Sequence, residues 1–437
     1  MKKLYYILPL FLFAACENLD LPDVNVEKDL FNIPLPATDE GLIEVELKPE
    51  TEPMKHGGEY GSLVTDADIE RIKTNLNREP WKSGYEKLCS SRYATGGHTP
   101  RPQEYIIRGV AGENAVIAGR DLAAAFQCGL RWRIEGKIDK TDNFGDKAIE
   151  ILNLWVKTCK GTGGNSNAYL ASGLYGYQFA VIGELMRNYP GWTGVEFAAY
   201  QKWLIDAFYG GNKDFLIRRN GTNADHYWAN WPLCNIASML AIGITSDRRD
   251  IYNEALTHLQ IGEMNGRITH AINHVFDGEY ANMAQWQEMG RDQGHTLLGI
   301  GLMGTIFQMA WNQGDDFFAY QDNIFLKACE HVSRYNYTTL ECPFATYQRG
   351  FTNQWQSITY ETYTTFGETG RGNDNPVWAL PYYHYAKVKN VAEDKFPCTK
   401  VASDRMFPEG GAGTSSGAEN TGTFDSMGFG TLLYARD

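Results

Sequence analysis

The feature that most constrains the fold is a long succession of apolar stretches with helical spacing, separated by clusters of glycine, proline and asparagine. Apolar residues recur every three to four positions in each stretch, which is typical of helices that bury one face. The stretches lie near residues 80–90, 114–135, 145–160, 168–188, 196–210, 228–245, 249–264, 293–313, 320–336 and 376–388. No sequence repeat is clear, which disfavours a regular solenoid. The succession predicts an all-α protein whose helical hairpins form an incomplete (α/α) toroid.

The first sixteen residues have the pattern of an export signal. Lys2 and Lys3 precede a short apolar run, and two alanines come directly before Cys16. The run is too short for a permanent membrane-spanning helix. The sequence Phe-Ala-Ala-Cys resembles a bacterial lipobox, in which the cysteine is lipidated. We therefore expect a lipoprotein of a Gram-negative cell envelope, in the periplasm or on the outer membrane surface, that contacts the membrane only through its lipid anchor.

Composition divides the remaining chain into three segments. Residues 17–60 are rich in Pro, Glu and Asp and are predicted to form a tether. Residues 61–395 carry the helical pattern, which begins after Thr65 as a helix N-cap. Residues 396–437 are rich in Gly, Ser and Thr, and they predict a loop-rich C-terminal tail that ends in a strand at 431–434.

Charge and composition exclude some classes of partner. The net charge is −13 and no Lys/Arg-rich stripe occurs, so nucleic acid is not an expected partner. The seven cysteines after Cys16 include no C-x-x-C pair, and neither a metal nor a cofactor is expected.

Aromatic residues make up 13% of the chain. Tyrosine and tryptophan suit sugar binding, because flat rings stack on sugar faces while OH and NH groups reach hydroxyls. A helical core rich in aromatic residues is an equally good explanation.

The first polar motif, residues 223–231, reads Asn-Ala-Asp-His-Tyr-Trp-Ala-Asn-Trp and leads directly into an apolar helix. Backbone NH groups and the positive end of the helix dipole favour an anion at such a helix start. Asn223 and His226 are candidates to hydrogen-bond a carboxylate, and Trp228 and Trp231 are candidates to stack on a sugar ring. The alternative is a capped helix with buried aromatic residues.

The second polar motif, residues 285–295, lies in the same position before another apolar helix. Its candidate side chains are Trp286, Glu288, Arg291, Gln293 and His295. A lone Arg–Asp pair or a lone histidine is usually structural, but this concentration of polar groups favours a binding site. Arg108 lies in a loop that can reach the mouth of the same cleft.

These residue types suit one reaction in particular, the removal of the C5 proton of a uronic acid. The sugar carboxylate must be neutralised, since the dianionic intermediate is otherwise too high in energy, and Asn, Gln, Arg or protonated His can do this. A base for the C5 proton and an acid for the departing C4 oxygen are also needed. Histidine and tyrosine can serve once their pKa values are adjusted. This reaction requires no metal.

The residues that carry this chemistry also resemble a known family. Tyr-Trp-Ala-Asn-Trp at 227–231 and Asp-Arg-Arg-Asp at 247–250 are similar to alginate lyases of polysaccharide lyase family five, whose pattern is Asn-Asn-His-x-Tyr-Trp-Ala-x-Trp and then Asn-Arg-Arg-Asp. Residues 288–296 resemble the wider alginate lyase superfamily, including family thirty-eight, whose members act on alginate or glucuronan. The resemblance spans about residues 90–388 in patches. It implies an incomplete toroid with a substrate cleft or tunnel.

Carrying the family's residues over exposes two departures. The family's histidine aligns with Asp225, or with His226 after a shift of one residue. His226 is preferred because an aspartate would repel a uronate. The family's catalytic tyrosine lies four residues after an arginine, but four residues after Arg291 this chain has His295. Either His295 is the base, or a tyrosine comes from elsewhere in the chain: Tyr227, Tyr360 or Tyr363.

The sequence therefore predicts a polysaccharide lyase that cleaves a 4-linked uronate polymer, either alginate or β-1,4-glucuronan, by β-elimination. Asn223, His226 and Arg291 are expected to hold the carboxylate. The other expected substrate contacts are Trp228, Trp231, Trp286, Gln293, Glu288 and Arg108. Two alternatives remain, a toroidal glycoside hydrolase that uses two carboxylic acids and a non-catalytic surface lipoprotein that binds glycans.

Overall fold

Helices joined by short loops form the body of the protein in the computed structural model, which describes residues 43–136, 143–414 and 424–437. The helices are α1 Asp66–Asn75, α2 Trp81–Cys89, α3 Ala115–Glu135, α4 Phe144–Thr158, α5 Asn167–Met186, α6 Gly194–Leu204, α7 Gly210–Arg218, α8 Asn230–Thr245, α9 Arg249–Ile261, α10 Ile268–Ala271, α11 Gln293–Trp311, α12 Tyr320–Tyr337, α13 Ala379–Tyr383, α14 Pro397–Met406 and α15 Gly430–Tyr434. Each predicted helical stretch contains one of these helices. The predicted cap is also confirmed, since the Thr65 hydroxyl accepts a hydrogen bond from the Asp68 backbone NH.

Helix α8 lies at the centre of the fold. Its residues include no charged side chain, and nearly all are buried, as expected for a helix that is surrounded by protein. It packs against α5, α9 and α11. The contact with α5 is close because glycines face it: a β-carbon at Gly173 would overlap Cys234, and one at Gly176 would overlap Ser238. This close packing fixes where α8 begins, and the first polar motif comes directly before that point.

Residues 43–60 pack against the helical body, so the predicted tether is wrong for this part of the chain. Met54 is buried, and Val45 packs against the core. The Gln260 side chain accepts hydrogen bonds from the backbone NH groups of Glu44 and Val45. The sequence 43–60 contains apolar residues without a helical period, and these residues are buried by long-range contacts. The predicted signal, Cys16 and the rest of the tether lie outside the described residues.

The described residues of the C-terminal segment, 396–414 and 424–437, contain more helix than predicted. Helix α14 follows residue 396, and residues 430–434 form α15 where a strand was expected. Leu432 lies so close to α2 that a β-carbon at Gly84 would approach its backbone nitrogen to 2.9 Å. Phe424 and Phe429 are buried in the core. The helix is therefore stabilised by burial of its apolar side chains, which local sequence alone does not indicate.

Three short two-stranded sheets join the helices. They are the parallel pair Tyr105–Ile107 (β1) and Gly161–Gly163 (β2), and the antiparallel pairs Ile272–Val275 (β3) with Ala284–Trp286 (β4) and Tyr347–Thr352 (β5) with Ile358–Tyr363 (β6). The β5–β6 hairpin pairs Arg349 with Glu361. Among the described residues, no helix combines the length and apolar character needed to cross a membrane.

Candidate active site

Trp228 forms the floor of a cluster of charged and aromatic side chains where α8, α11 and the β5–β6 hairpin meet. The guanidinium of Arg349 lies 4.1 Å from the centroid of the Trp228 ring, and that of Arg291 lies 5.1 Å from it. The ring centroids of Tyr363 and Trp228 are 5.5 Å apart, in a T-shaped arrangement. Cations over an indole face are attracted by its electron density. The structure thus brings Trp228 and Arg291 of the two polar motifs together, as the sequence predicts.

A buried glutamate of the second polar motif is hydrogen-bonded to the first polar motif. The Glu288 carboxylate is fully buried and accepts hydrogen bonds from the Asn230 backbone NH at 3.1 Å and from its side-chain amide at 3.3 Å. Gln287 accepts one from the Ala229 backbone NH at 3.1 Å. These acceptors satisfy NH groups at the start of α8, where an anion is also favoured by the helix dipole. Burial raises the pKa of Glu288, and the nearby Arg291 opposes that shift.

The hairpin is attached to the first polar motif by a compact set of hydrogen bonds. The Asn223 side chain donates to the Gly350 carbonyl at 2.9 Å and accepts from the Thr352 hydroxyl at 2.7 Å. The His226 Nδ1 atom accepts from the Thr352 backbone NH at 3.0 Å, and Arg349 donates to the His226 carbonyl at 3.0 Å. The Asn223 amide therefore positions the hairpin with one N–H and its oxygen. Its predicted contact with a carboxylate stays a prediction.

The ring of His226 retains one nitrogen for a ligand. Because Nδ1 accepts a hydrogen bond, the neutral ring carries its hydrogen on Nε2. Burial lowers the pKa of His226, and the charge of Arg349 lowers it further. His226 is thus a neutral hydrogen-bond donor beside Arg349, and any anion that it contacts receives a hydrogen bond rather than a positive charge.

His295 and Asp292 form a hydrogen-bonded pair at the start of α11. Asp292 caps the helix by accepting from the His295 backbone NH at 2.8 Å, and its second oxygen lies 2.7 Å from His295 Nδ1. The Nε2 atom lies 3.3 Å from Arg291 Nη2. Burial opposes ionisation of Asp292, but hydrogen bonds from His295 and the charge of Arg291 hold its pKa below the ordinary value. With Nδ1 donating to Asp292, Nε2 carries a lone pair that accepts from Arg291 Nη2, and 44% of the side chain is exposed.

Arg291 and Arg349 both retain donors that the described residues do not satisfy. Arg291 Nη1 and Arg349 Nε are buried atoms with no hydrogen-bond partner in the described part of the chain. Burial lowers the pKa of Arg349, and Arg291 lowers it further while Glu361 opposes the shift. Each guanidinium also faces a carboxylate, with Arg291 Nε 3.3 Å from Asp292 and Arg349 Nη2 3.3 Å from Glu361, so the two positive charges are partly compensated within the protein. Sequence reasoning missed Arg349, although the alternation of aromatic residues around it in 347–351 is a strand signal.

The three candidate tyrosines occupy different places. Tyr363 lies in the cluster, where its hydroxyl donates to Glu361 at 2.7 Å, and burial together with Glu361 raises its pKa to about 12. Tyr360 is 64% exposed. It lies on the hairpin face opposite to Arg349, because side chains alternate along a strand. Tyr227 is buried between Phe215 and Trp231 and accepts a hydrogen bond from the Asn220 amide. Of the three, Tyr363 is the tyrosine at the cluster.

Several predicted substrate contacts are corrected by burial. Trp286 is fully buried, and its indole lies where a β-carbon at Gly299 would be. Gln293 is also fully buried and donates to two backbone carbonyls, those of Met289 and Gly367. The Glu288 carboxylate accepts hydrogen bonds from Asn230 at the start of α8. These side chains support the second polar motif from behind and do not line an open surface.

Arg108 is likewise engaged elsewhere. Its guanidinium forms two hydrogen bonds of 2.7 Å with the Asp425 carboxylate and one of 3.1 Å with the Tyr175 hydroxyl. Both charged groups are nearly buried. The expected substrate contact is therefore wrong, and Arg108 binds the C-terminal segment to the helical body instead. Trp231 remains partly exposed, with its ring 4.7 Å from that of Tyr227.

Comparison with known proteins identifies the family. The model of the family described as alginate lyase matches residues 113–339, which is more than half of the chain. The protein therefore belongs to the alginate lyase family, and it is a polysaccharide lyase. No curated protein sequence matches the chain.

Solved structures show the same fold. Alginate lyase A1-III from Sphingomonas species A1 is 14% identical, with a TM-score of 0.51 over 86% of this chain and 96% of that one. An alginate lyase from Bacteroides ovatus is 13% identical, with a TM-score of 0.52 over 82% of this chain and 99% of that one. The predicted (α/α) toroid is confirmed.

Proposed function

We propose that the enzyme cleaves a 4-linked uronate polymer by β-elimination, with alginate as the first substrate candidate and β-1,4-glucuronan as the second. The observation that carries this proposal is the pair of guanidinium groups over Trp228, next to the His295–Asp292 pair. The matching family and the similar solved structures, which are described as alginate lyases, favour alginate.

In this proposal, Arg291 and Arg349 bind the carboxylate of the sugar whose C5 proton is removed. Negative charge moves onto that carboxylate as the C5–H bond breaks, and the positive charges of the two guanidinium groups stabilise it. His226 Nε2 donates a further hydrogen bond. The low pKa of His226 is consistent with this role, because a neutral donor adds no third charge to a site that already holds two arginines.

His295 is the proposed base, and Tyr363 is the proposed acid. When the Arg291 guanidinium turns from His295 to the sugar carboxylate, the lone pair on His295 Nε2 is released and takes the C5 proton, and Asp292 stabilises the imidazolium that forms. The C5–H and C4–O bonds break, a C4=C5 double bond forms, and the Tyr363 hydroxyl gives its proton to the leaving C4 oxygen. The high pKa of Tyr363, about 12, keeps the hydroxyl protonated and able to donate.

A panel of polymers tests the proposal. The purified protein is incubated with alginate, β-1,4-glucuronan and a neutral glucan, and the absorbance of the unsaturated uronide is followed together with reducing ends. We expect absorbance and reducing ends to rise together on a uronate polymer and neither to rise on the glucan. Reducing ends that appear without absorbance would identify a hydrolase and reject the lyase reaction. The variant R291Q/R349Q is the matched control and should be inactive while remaining folded.

The hydrolase alternative finds less support in the site. It needs two carboxylic acids on opposite sides of the scissile bond. Glu288 is fully buried and bound to Asn230, and Asp292 is bound to His295. Both carboxyl groups are therefore already engaged by groups of the protein itself.

We also propose that Cys16 is lipidated and anchors the enzyme in a Gram-negative cell envelope. The lipobox-like sequence before Cys16 supports this location. Expression of the full chain and of C16S in a Gram-negative host, followed by detergent phase partition, tests it. We expect the full chain to enter the detergent phase and C16S to stay in the aqueous phase, and equal partition would reject the anchor.

A further inference from the structure

The turn of the β5–β6 hairpin presents an exposed tryptophan. Trp355 is 75% exposed, and Ile358 next to the turn is 53% exposed. Exposure of a large aromatic ring to water is unfavourable by roughly 25 cal/mol per Å² of apolar surface. Single exposed apolar residues are common, so exposure alone does not indicate a function. Three further features of this turn support a function: its fixed conformation, its position on the strand that carries Arg349, and its lack of acidic residues.

Hydrogen bonds to Asn353 hold the turn in one conformation. The Asn353 side-chain oxygen accepts from the backbone NH groups of Trp355 at 3.0 Å and Ser357 at 3.1 Å. The Asn353 backbone NH donates to the Ser357 carbonyl at 2.8 Å, and its side-chain amide donates to the Thr359 hydroxyl at 2.9 Å. Trp355 is therefore presented on a preformed turn, which reduces the conformational entropy that a ligand must overcome.

The turn continues from the candidate active site along the same strand. Arg349 lies at the cluster, and Thr352 is bound to His226 and Asn223. A strand advances roughly 3.3 Å per residue, so Thr352 lies roughly 10 Å along the strand from Arg349 and the turn lies beyond it. A polymer that places one sugar at Arg349 and follows the hairpin reaches Trp355 with sugars further along its chain.

The turn is also compatible with an acidic ligand. The chain has a net charge of −13, but residues 352–360 contain no aspartate or glutamate. Gln354 and Gln356 flank Trp355, and both are exposed. An aromatic face bordered by amide groups is suited to a pyranose ring, since the ring stacks on the indole while the amides reach hydroxyls.

We propose that Trp355 forms a distal subsite that stacks on a sugar ring of the polymer outside the residues that react. This inference rests on the proposed function, because it takes the uronate polymer as the ligand. It predicts that the enzyme prefers long chains over oligosaccharides too short to reach the turn. Trp355 contributes to binding of the polymer and not to the chemical step.

Steady-state kinetics of W355A on polymer and on a trisaccharide tests the subsite. Loss of one stacking contact should lower kcat/KM on the polymer by about five- to tenfold, through KM, with kcat and trisaccharide cleavage unchanged. W355F should recover most of the loss. V195A, which removes another exposed apolar side chain on a different element, is the matched control and should behave as wild type.

The outcomes separate this inference from the proposed function. If wild type forms no unsaturated product from any uronate polymer, the proposed function fails. If wild type cleaves the polymer and W355A matches it on polymer and trisaccharide alike, the distal subsite is rejected while the lyase reaction stands. If W355A instead reduces sedimentation of the full chain with anionic phospholipid vesicles and leaves polymer kinetics unchanged, the turn contacts membrane and the inference is overturned.

Discussion

The guanidinium of Arg349 lies 4.1 Å from the centre of the Trp228 ring, and the two residues are 121 positions apart in the chain. Arg291 lies over the same ring at 5.1 Å. The indole attracts both cations and so offsets part of their mutual repulsion. Asp292 and Glu361, each 3.3 Å from one of the guanidinium groups, offset more of it, and a substrate carboxylate at the cluster would add to this compensation.

Removal of either guanidinium should weaken catalysis strongly. We expect R349Q and R291Q each to lower kcat/KM on the cleaved polymer by about 100- to 1,000-fold, as for the loss of one donor to a developing charge. The initial rate of unsaturated product formation measures this. R349K is the matched control and should recover part of the activity, because it keeps the charge but loses the planar set of donors. Wild-type kinetics in R349Q would contradict the assignment.

Substitution of His295 or Asp292 should lower kcat and leave KM nearly unchanged. H295Q keeps a polar side chain but removes the base, and we expect kcat to fall by about 100- to 10,000-fold, which is typical for a general base. D292N should also lower kcat, because an amide in place of the carboxylate no longer stabilises the imidazolium.

Comparison of Y363F with the His295 variants tests which of the two residues is the base. If His295 is the base and Tyr363 the acid, H295Q and Y363F should each lower kcat, and added imidazole should restore activity to H295A only. A fully active H295Q would assign the C5 proton to another group.

Arg108 should matter for stability and not for substrate binding. Loss of one partner of a buried ion pair leaves an uncompensated charge, so R108A should lower the free energy of unfolding by about 3–5 kcal/mol. Chemical denaturation measures this change. The double variant R108A/D425A should lose less than the sum of R108A and D425A, because the Asp425 carboxylate is then absent as well. A rise in KM of R108A with unchanged stability would restore the substrate role.

Stability should depend on pH through His56. Its ring lies 2.7 Å from Glu184 and 2.6 Å from Asp247 and attaches residues 43–60 to the helical body. Burial lowers the pKa of His56, but the hydrogen bonds with Asp247 and Glu184 outweigh this and raise it to about 9. Because the pKa is higher in the folded than in the unfolded state, the contribution is complete below about pH 6.5 and is lost as pH rises through about 9.

Thermal unfolding between pH 6 and pH 10 measures this dependence. We expect the Tm of wild type to fall across that interval more steeply than the Tm of H56Q, whose amide does not titrate. Equal slopes in the two proteins would show that other groups cause the pH dependence.

Much of the site could be predicted from sequence because its residues are close to helix starts. Trp228, Arg291 and His295 lie within two short motifs, and the helices that follow the motifs have a clear apolar period. Arg349 could not be predicted in the same way. It reaches the site from a hairpin that follows the two motifs in the chain, and only the hydrogen bonds of Asn223 and His226 with this hairpin bring it to Trp228.

Local sequence by itself determined the helices up to α13 and the positions of the two polar motifs, since helical period and N-caps depend on residues a few positions apart. Tertiary structure decided which polar groups face a ligand. Trp286 and Gln293 look as suitable in sequence as Arg291 and His295, yet the first two are buried behind the site and the last two are partly exposed at it. That difference depends on which long-range neighbours cover each side chain, and burial by distant segments leaves no periodic signal in the chain.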